Sequence, residues 1–191
     1  MRAAITWCLQ CLEGFLLGLG IGCLGVYGYE LHAARQFQAE QVAAFERASD
    51  TPSMLETGAI VGMLDVPRLD LSTPVIQGDD TRTLKRAVGH LPDTPMPWEQ
   101  GNSAIAGHRD GLFRPLKDVK VGDEIRFRTP REEFRYRVTR TAIVLPDDVS
   151  VLAPGQSALT LITCYPFHYV GTAPKRFIVH AERLSSPRPA E

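Results

Sequence analysis

Downstream of residue 29 this 191-residue chain has a single cysteine, Cys164. The others, Cys8, Cys11 and Cys23, fall within an apolar N-terminal segment. The downstream part therefore has no second thiol for an internal disulfide. A lone thiol kept in an exported region points to chemical use, since it is otherwise open to oxidation. Basic surplus is also missing. A formal net charge of −1 offers nothing to displace counterions from a phosphate backbone, so nucleic acid is excluded as an expected partner. Internal repeats and low-complexity tracts are absent too. With 44% hydrophobic and 23% charged residues, the composition is that of a globular protein of one domain plus an appendage.

The appendage is the N-terminus. Ala3 to Tyr29 carries one charge, Glu13, and one other strongly polar side chain, Gln10. Gly14 to Tyr29 is uninterrupted, and with Ile5 to Leu12 it is long enough for the roughly 30 Å hydrocarbon layer. Arg2 precedes it, so the positive-inside rule puts the N-terminus in the cytoplasm and the rest outside. An uncleaved single-pass anchor is expected. The rival is a cleaved signal peptide, with His32-Ala33-Ala34 tolerable to a peptidase, although its apolar core is usually only about 7–15 residues. Cys8 and Cys11 form C-x-x-C, but they lie in a lipid-bound segment with no histidine or second pair nearby, which argues against metal or redox use. Gly20-Ile21-Gly22 before Cys23 is a poor lipobox. Gly14, Gly18 and Gly22 make a small-xxx-small series of the kind that packs helices in membranes.

Residues 30–55 read as a helical stalk or linker, with Leu31, Ala34, Phe37, Gln41, Ala44 and Phe45 along one rough face and a stop at Asp50-Thr51-Pro52-Ser53. Residues 56–184 form the main domain and 185–191 a flexible tail. Within the domain, Ala59 to Val66, Leu69 to Val75, Ser103 to Ala106, Glu124 to Arg128, Ala158 to Cys164 and Arg176 to Glu182 read as short strands. Phe134, Tyr136 and Val138 alternate with Arg135, Arg137 and Thr139, the pattern of a half-buried strand. Only Thr81 to Val88 and Phe113 to Lys117 look briefly helical. This spacing implies a mainly β domain, either barrel or sandwich.

The chemistry gathers around Thr160-Leu161-Ile162-Thr163-Cys164, with Arg176 twelve residues on. A thiol attacks a carbonyl well only as thiolate, so a nucleophilic cysteine needs a histidine or cation within reach. His108 follows the strand Ser103 to Ala106 and a glycine, which puts it at a strand end like Cys164. His168 is nearer in sequence but lies in the Tyr165 to Pro174 loop, either merely exposed or facing substrate. Arg176 is a permanent charge with a forked donor set, suited to an oxyanion, where a preorganised donor contributes about 3–4 kcal/mol. Taken singly, each histidine is also readable as a satisfied surface or core residue, and Arg176 as a snorkelling side chain.

Together these residues carry a resemblance. Thr160-Leu161-Ile162-Thr163-Cys164 matches the sortase signature T-L-x-T-C, and Arg176 falls where that family's arginine opens the next strand. Ala106-Gly107-His108-Arg109-Asp110, followed by Phe113-Arg114-Pro115-Leu116, resembles the family's histidine region. Cys164-Tyr165-Pro166-Phe167 with Gly171-Thr172-Ala173-Pro174-Lys175-Arg176 looks most like class D sortases. The similarity runs from about Gly58 to Leu184. It implies a closed, mostly antiparallel eight-stranded β-barrel with short helices and a transpeptidase activity. In that family the cysteine attacks the Thr–Xaa bond of an LPxT-type sorting signal, forms a thioester, and yields to an amine of cell-wall peptide or a pilin lysine. By carry-over, Cys164 is the nucleophile, His108 the general acid/base and Arg176 the oxyanion or substrate-binding group, with Thr163, Thr160 and His168 as substrate-binding candidates. The implied location is the outer face of the cytoplasmic membrane.

Two lookalikes fall away. His108-Arg109-Asp110 echoes a kinase catalytic loop, but Pro115 stands where the asparagine is required and no glycine-rich loop exists. Leu91-Pro92-Asp93-Thr94-Pro95 resembles a sorting signal without the following apolar segment and basic tail. No metal or other cofactor is expected, since the acidic pairs Asp147-Asp148 and Glu132-Glu133 lack the ligand count of a calcium site. Two other functions compete with transpeptidation: a thiol peptidase that only hydrolyses, and a non-catalytic, membrane-tethered peptide-binding barrel.

Overall fold

A computed structural model describes residues 12–29, 32–33, 36, 57–153, 158–168 and 171–184 of the chain. The chain divides into two compact units, Met1–Phe37 and Gln38–Glu191. In the first, α1 (Leu12–Tyr29) is long and apolar enough to cross a membrane. At 1.5 Å per residue it spans about 27 Å. Its large side chains, among them Phe15, Leu17, Leu24 and Tyr27, are exposed, as expected of a helix whose apolar surround is not protein. The positions described in the expected stalk, residues 32–33 and 36, are helical. The rest of that stalk, residues 1–11 and the tail 185–191 lie outside the described residues.

The second unit is a β-barrel. Its strands are β1 (Ile60–Val66), β2 (Leu71–Gln77), β3 (Val88–His90), β4 (Asn102–Gly107), β5 (Glu124–Arg128), β6 (Glu133–Val144), β7 (Ala158–Tyr165) and β8 (Lys175–Arg183). They close in the order β1-β2-β3-β4-β7-β8-β6-β5, so of the barrel and sandwich that spacing allowed, the chain adopts the barrel. Closure leaves no unpaired edge along the ring. The β2–β3 and β4–β7 pairs are parallel, and the remaining pairs antiparallel.

Alternation builds the core. In β6, Phe134, Tyr136 and Val138 are buried and Arg135, Arg137 and Thr139 exposed, as period-two patterning requires. They pack with Leu64, Ile105, Phe127, Leu159, Leu161 and Val179 inside the barrel. The Tyr136 hydroxyl donates to the Pro97 carbonyl, and burial pushes its pKa up to about 12. The outward charges of β5 and β6 pair locally, Arg126 with Glu124 and Arg135 with Glu133.

One segment differs from the pattern-based reading, and another bears out the dismissal of a lookalike. Of Thr81 to Val88, only α2 (Thr81–Leu84) is helical, started by the Asp80 carboxylate accepting from the Arg82 and Thr83 amides. Val88 already belongs to β3, a three-residue strand with no exposed position. In Leu91 to Pro95, the Thr94 hydroxyl donates to the Leu91 carbonyl and accepts from the Ala104 amide. The buried ring of His90 lies 3.0 Å from the Pro95 carbonyl. The sorting-signal lookalike is thus a loop stapled to β4, and desolvation lowers the pKa of His90.

Candidate active site at three strand ends

The parallel pairing of β4 with β7 decides where the chemistry-bearing residues meet. Its register runs from Asn102↔Ala158 to Gly107↔Thr163. The next residues on each strand are His108 and Cys164, which therefore leave the barrel at the same rim, on strands about 4.8 Å apart. Strand β8 is antiparallel to β7 and starts at that rim, and Cys164 and Arg176 are direct register partners. His108, Cys164 and Arg176 thus stand on three consecutive staves of the barrel.

Alternation gives the face. Leu159, Leu161 and Thr163 point into the barrel, at 0%, 0% and 2% exposure. Cys164 shares the other parity with Thr160 and Ile162, so its half-buried thiol lies on the outer face. On the inward parity, Tyr165 and Phe177 cluster with Phe167, with ring centroids 5.4 to 6.4 Å apart and all three rings half-buried. Sequence patterning did not single out this cluster.

The His108 side chain is exposed. Its position is fixed by the backbone: its carbonyl accepts from the Gly111 and Phe113 amides, turning the chain sharply after β4. Phe113 is fully buried, and a Cβ on Gly107 would come within 2.7 Å of its ring. A glycine is therefore required for the turn to fold back on the barrel. Arg176 is half-buried, and its Nη1 donates to the Lys175 carbonyl at 3.1 Å and the Ala173 carbonyl at 3.3 Å. Its Nε and Nη2 donors make no hydrogen bond to a described residue.

The remaining sequence candidates sit differently. The Thr163 hydroxyl donates to the Gly107 carbonyl at 2.7 Å, joining the two strand ends from inside. The Thr160 hydroxyl is buried on the outer face, donating to Asn102 Oδ1 at 2.7 Å and lying 3.2 Å from His180 Nδ1. Asn102 Nδ2 in turn donates to the Val151 and Ala153 carbonyls, so the β6–β7 connection roofs that end of the face. Burial, with a smaller effect from the charge of Arg140, lowers the pKa of His180. Between this roof and Cys164 lie Ala106, Ile162 and Ile178, in register across β4, β7 and β8. They make an apolar row leading to Cys164, with Ala106 and Ile162 half-buried and Ile178 buried. His168 is exposed on the β7–β8 connection.

The sequence gives Arg109 no role beyond its place in the run Gly107-His108-Arg109-Asp110. It is 5% exposed and donates from Nη1 to the Pro166 carbonyl at 3.1 Å and from Nη2 to the Gly171 carbonyl at 3.0 Å. The acidic pairs do ordinary surface work. Asp148 caps the turn at Ser150 and Glu133 pairs with Arg135.

A closed, mostly antiparallel barrel with a cysteine, a histidine and an arginine at neighbouring strand ends defines a class, the β-barrel thiol enzymes. Comparison with known proteins narrows it. Residues 64–184 match the family model of the sortase domain. The chain is 39% identical over 132 residues to Sortase D of Bacillus subtilis (strain 168), covering 68% of this chain and 67% of that protein. Among solved structures, a Sortase D5 transpeptidase of Clostridium perfringens superposes with a TM-score of 0.67 at 26% identity, over 79% of this chain and 98% of that one. The SrtA sortase of Actinomyces oris gives a TM-score of 0.63 at 31% identity, over 71% and 87%. The chain belongs to the sortase family: it is an enzyme of the cysteine-transpeptidase kind, with class D character.

Proposed function

We propose that this enzyme cleaves an LPxT-type sorting signal through a thioester on Cys164 and passes the acyl group to an amine. The observation that carries the reading is the meeting of His108, Cys164 and Arg176 on consecutive strand ends. The peptide lies along the apolar row of Ala106, Ile162 and Ile178, with its Thr–Xaa carbonyl at the thiol. Cys164 gives its thiol proton to His108, and the Sγ thiolate attacks that carbonyl carbon. The oxygen gains negative charge, which Arg176 stabilises. His108 protonates the departing amine as the C–N bond breaks, leaving a Cys164 thioester. An incoming amine then attacks the thioester, His108 takes its proton, and the C–S bond breaks to return the thiol. Thr160 and Thr163 shape the groove by holding its strands, and His168 flanks it from the β7–β8 connection.

The layout proposed with this chemistry is a membrane anchor over residues 1–29, a stalk over 30–55, the catalytic domain over 56–184 and a tail over 185–191. The barrel then works on the outer face of the cytoplasmic membrane. Its partners are a protein bearing the sorting signal and an amine of cell-wall peptide or a pilin lysine.

The test uses the full chain in detergent with an LPxT-containing peptide and a good amine nucleophile, followed by mass spectrometry. An amine-exchanged product that depends on Cys164 supports the reading. Product masses showing only hydrolysis, with the amine in excess, replace it with a thiol peptidase.

A further inference from the structure

We infer that Arg109 is a positioning residue that fixes the His108 turn against the loop following Cys164. The inference rests on the proposed roles of those two residues. Burying a charged group is expensive unless its donors are satisfied, and the Arg109 side chain is nearly fully buried. Its fork reaches two backbone carbonyls of one loop, Pro166 at 3.1 Å and Gly171 at 3.0 Å. Nε, itself buried, lies 3.4 Å from the exposed Asp110 carboxylate.

The positions of those carbonyls give the bond pair its meaning. Pro166 follows directly on Cys164-Tyr165, and Gly171 precedes the Ala173 carbonyl that holds Arg176. Two points of the β7–β8 connection, its first residue and one five residues on, are therefore drawn to one planar guanidinium. That guanidinium belongs to the residue next to His108. Movement of the histidine turn relative to the nucleophile's loop requires breaking this clamp. Gly171 adopts φ +100°, a conformation L side chains rarely take, and so presents its carbonyl at a turn few other residues would make. A lysine cannot do the same work, since one ammonium centre replaces two donors held apart in a rigid plane. The Thr163–Gly107 bond already joins β4 to β7 inside the barrel. What Arg109 adds is control outside it, where His108 and Cys164 must approach within hydrogen-bond reach.

Displacements of about 1 Å in such geometry cost on the order of 100-fold in rate. The test compares full-length wild type, Arg109→Lys and Arg109→Met in detergent. One measurement is the pH dependence of iodoacetamide alkylation, read on the peptide carrying Cys164. The other is kcat and KM on an LPxT peptide, each normalised to folded protein. The expected result is a kcat about 10–100-fold lower in both variants with KM within about threefold. The midpoint of Cys164 alkylation should also move by about half a pH unit or more. Arg109→Lys keeps the charge and guards against loss of folding in Arg109→Met. Folded variants with wild-type kcat and an unshifted alkylation profile overturn the inference and leave a purely structural arginine. The alkylation arm needs no substrate. A shifted profile with no peptide turnover, even by wild type, upholds the clamp while sinking the sorting-signal reading.

Discussion

Cys164 and Arg176 are direct cross-strand partners, the one near the end of β7 and the other near the start of β8. Residues directly opposite on antiparallel strands have Cβ atoms about 4.5–5.5 Å apart. No loop conformation has to be chosen to put the two residues side by side, because the sheet register does it. The cation is also part-anchored through the Lys175 carbonyl of its own strand and the Ala173 carbonyl just before it.

In the proposed mechanism, replacing the half-buried Arg176 removes the oxyanion donor without disturbing the core. Arg176→Ala is expected to lower kcat about 100- to 1,000-fold, with a change in melting temperature of a few degrees at most. Arg176→Lys should recover only part of the loss, because one ammonium cannot keep the backbone contacts and face the oxyanion as well. Steady-state kinetics on a sorting-signal peptide, paired with thermal melts, checks both.

The Thr163 hydroxyl is the internal tie between the nucleophile strand and the histidine strand. Thr163→Val keeps the shape and loses the bond to a buried carbonyl, which costs about 1–3 kcal/mol. Urea denaturation should show that loss in the midpoint, with an unchanged slope.

Much of the barrel is legible in the sequence. Strand β5 follows the pattern over Glu124–Arg128, and β6 declares itself through Phe134, Tyr136 and Val138. Strand β3 does not. Val88–His90 is too short and too uniformly buried to alternate, and it is a strand only because β2 and β4 receive it on either side. The site is similarly split. Cys164 and Arg176 belong to one hairpin, so their spacing is local information. His108 joins them through a parallel pairing across more than fifty residues (Gly107↔Thr163), which no local pattern encodes. Arg109 was hidden altogether. In a run of Gly107-His108-Arg109-Asp110 it reads as one more solvated charge, and its burial depends on a loop that arrives late in the chain.

Gly107 is a close-packing position as well as a turn position. In Gly107→Ala the new methyl would lie 2.7 Å from Phe113 Cδ2 and 2.9 Å from Val88 Cγ1, which forces the buried ring or the turn to move. Overpacking of this kind costs about 1–3 kcal/mol. Activity per folded molecule should fall too, because the displaced turn carries His108. A denaturation midpoint and a kcat measured on the same preparation separate the two effects.

Acid stability depends in part on Asp123. Its nearly buried carboxylate receives Arg68 Nε and Nη2 at 2.5 and 2.6 Å and the Lys120 amide at 2.8 Å. The Arg68 hydrogen bond is the main reason its pKa lies below the ordinary carboxylate value of 3.8. A carboxylate with a depressed folded pKa contributes stability above its unfolded pKa. That contribution is lost as pH falls through the folded value, where the unfolded chain binds the extra proton. Asp123→Asn should be less stable than wild type by about 1–3 kcal/mol at pH 7. The gap should narrow as pH falls below about 4, seen in urea melts across that range.

The central claim is that Cys164 carries the acyl group. The direct measurement is to quench the full-length enzyme in acid during turnover of an LPxT peptide. Digestion and mass spectrometry then locate the acyl adduct. The account predicts a hydroxylamine-labile acyl group on the peptide containing Cys164, accumulating when amine is withheld and discharged when it is added. It should be absent in Cys164→Ala and strongly reduced in His108→Ala. Turnover by Cys164→Ala at the wild-type rate, or an adduct located on another residue, would contradict it.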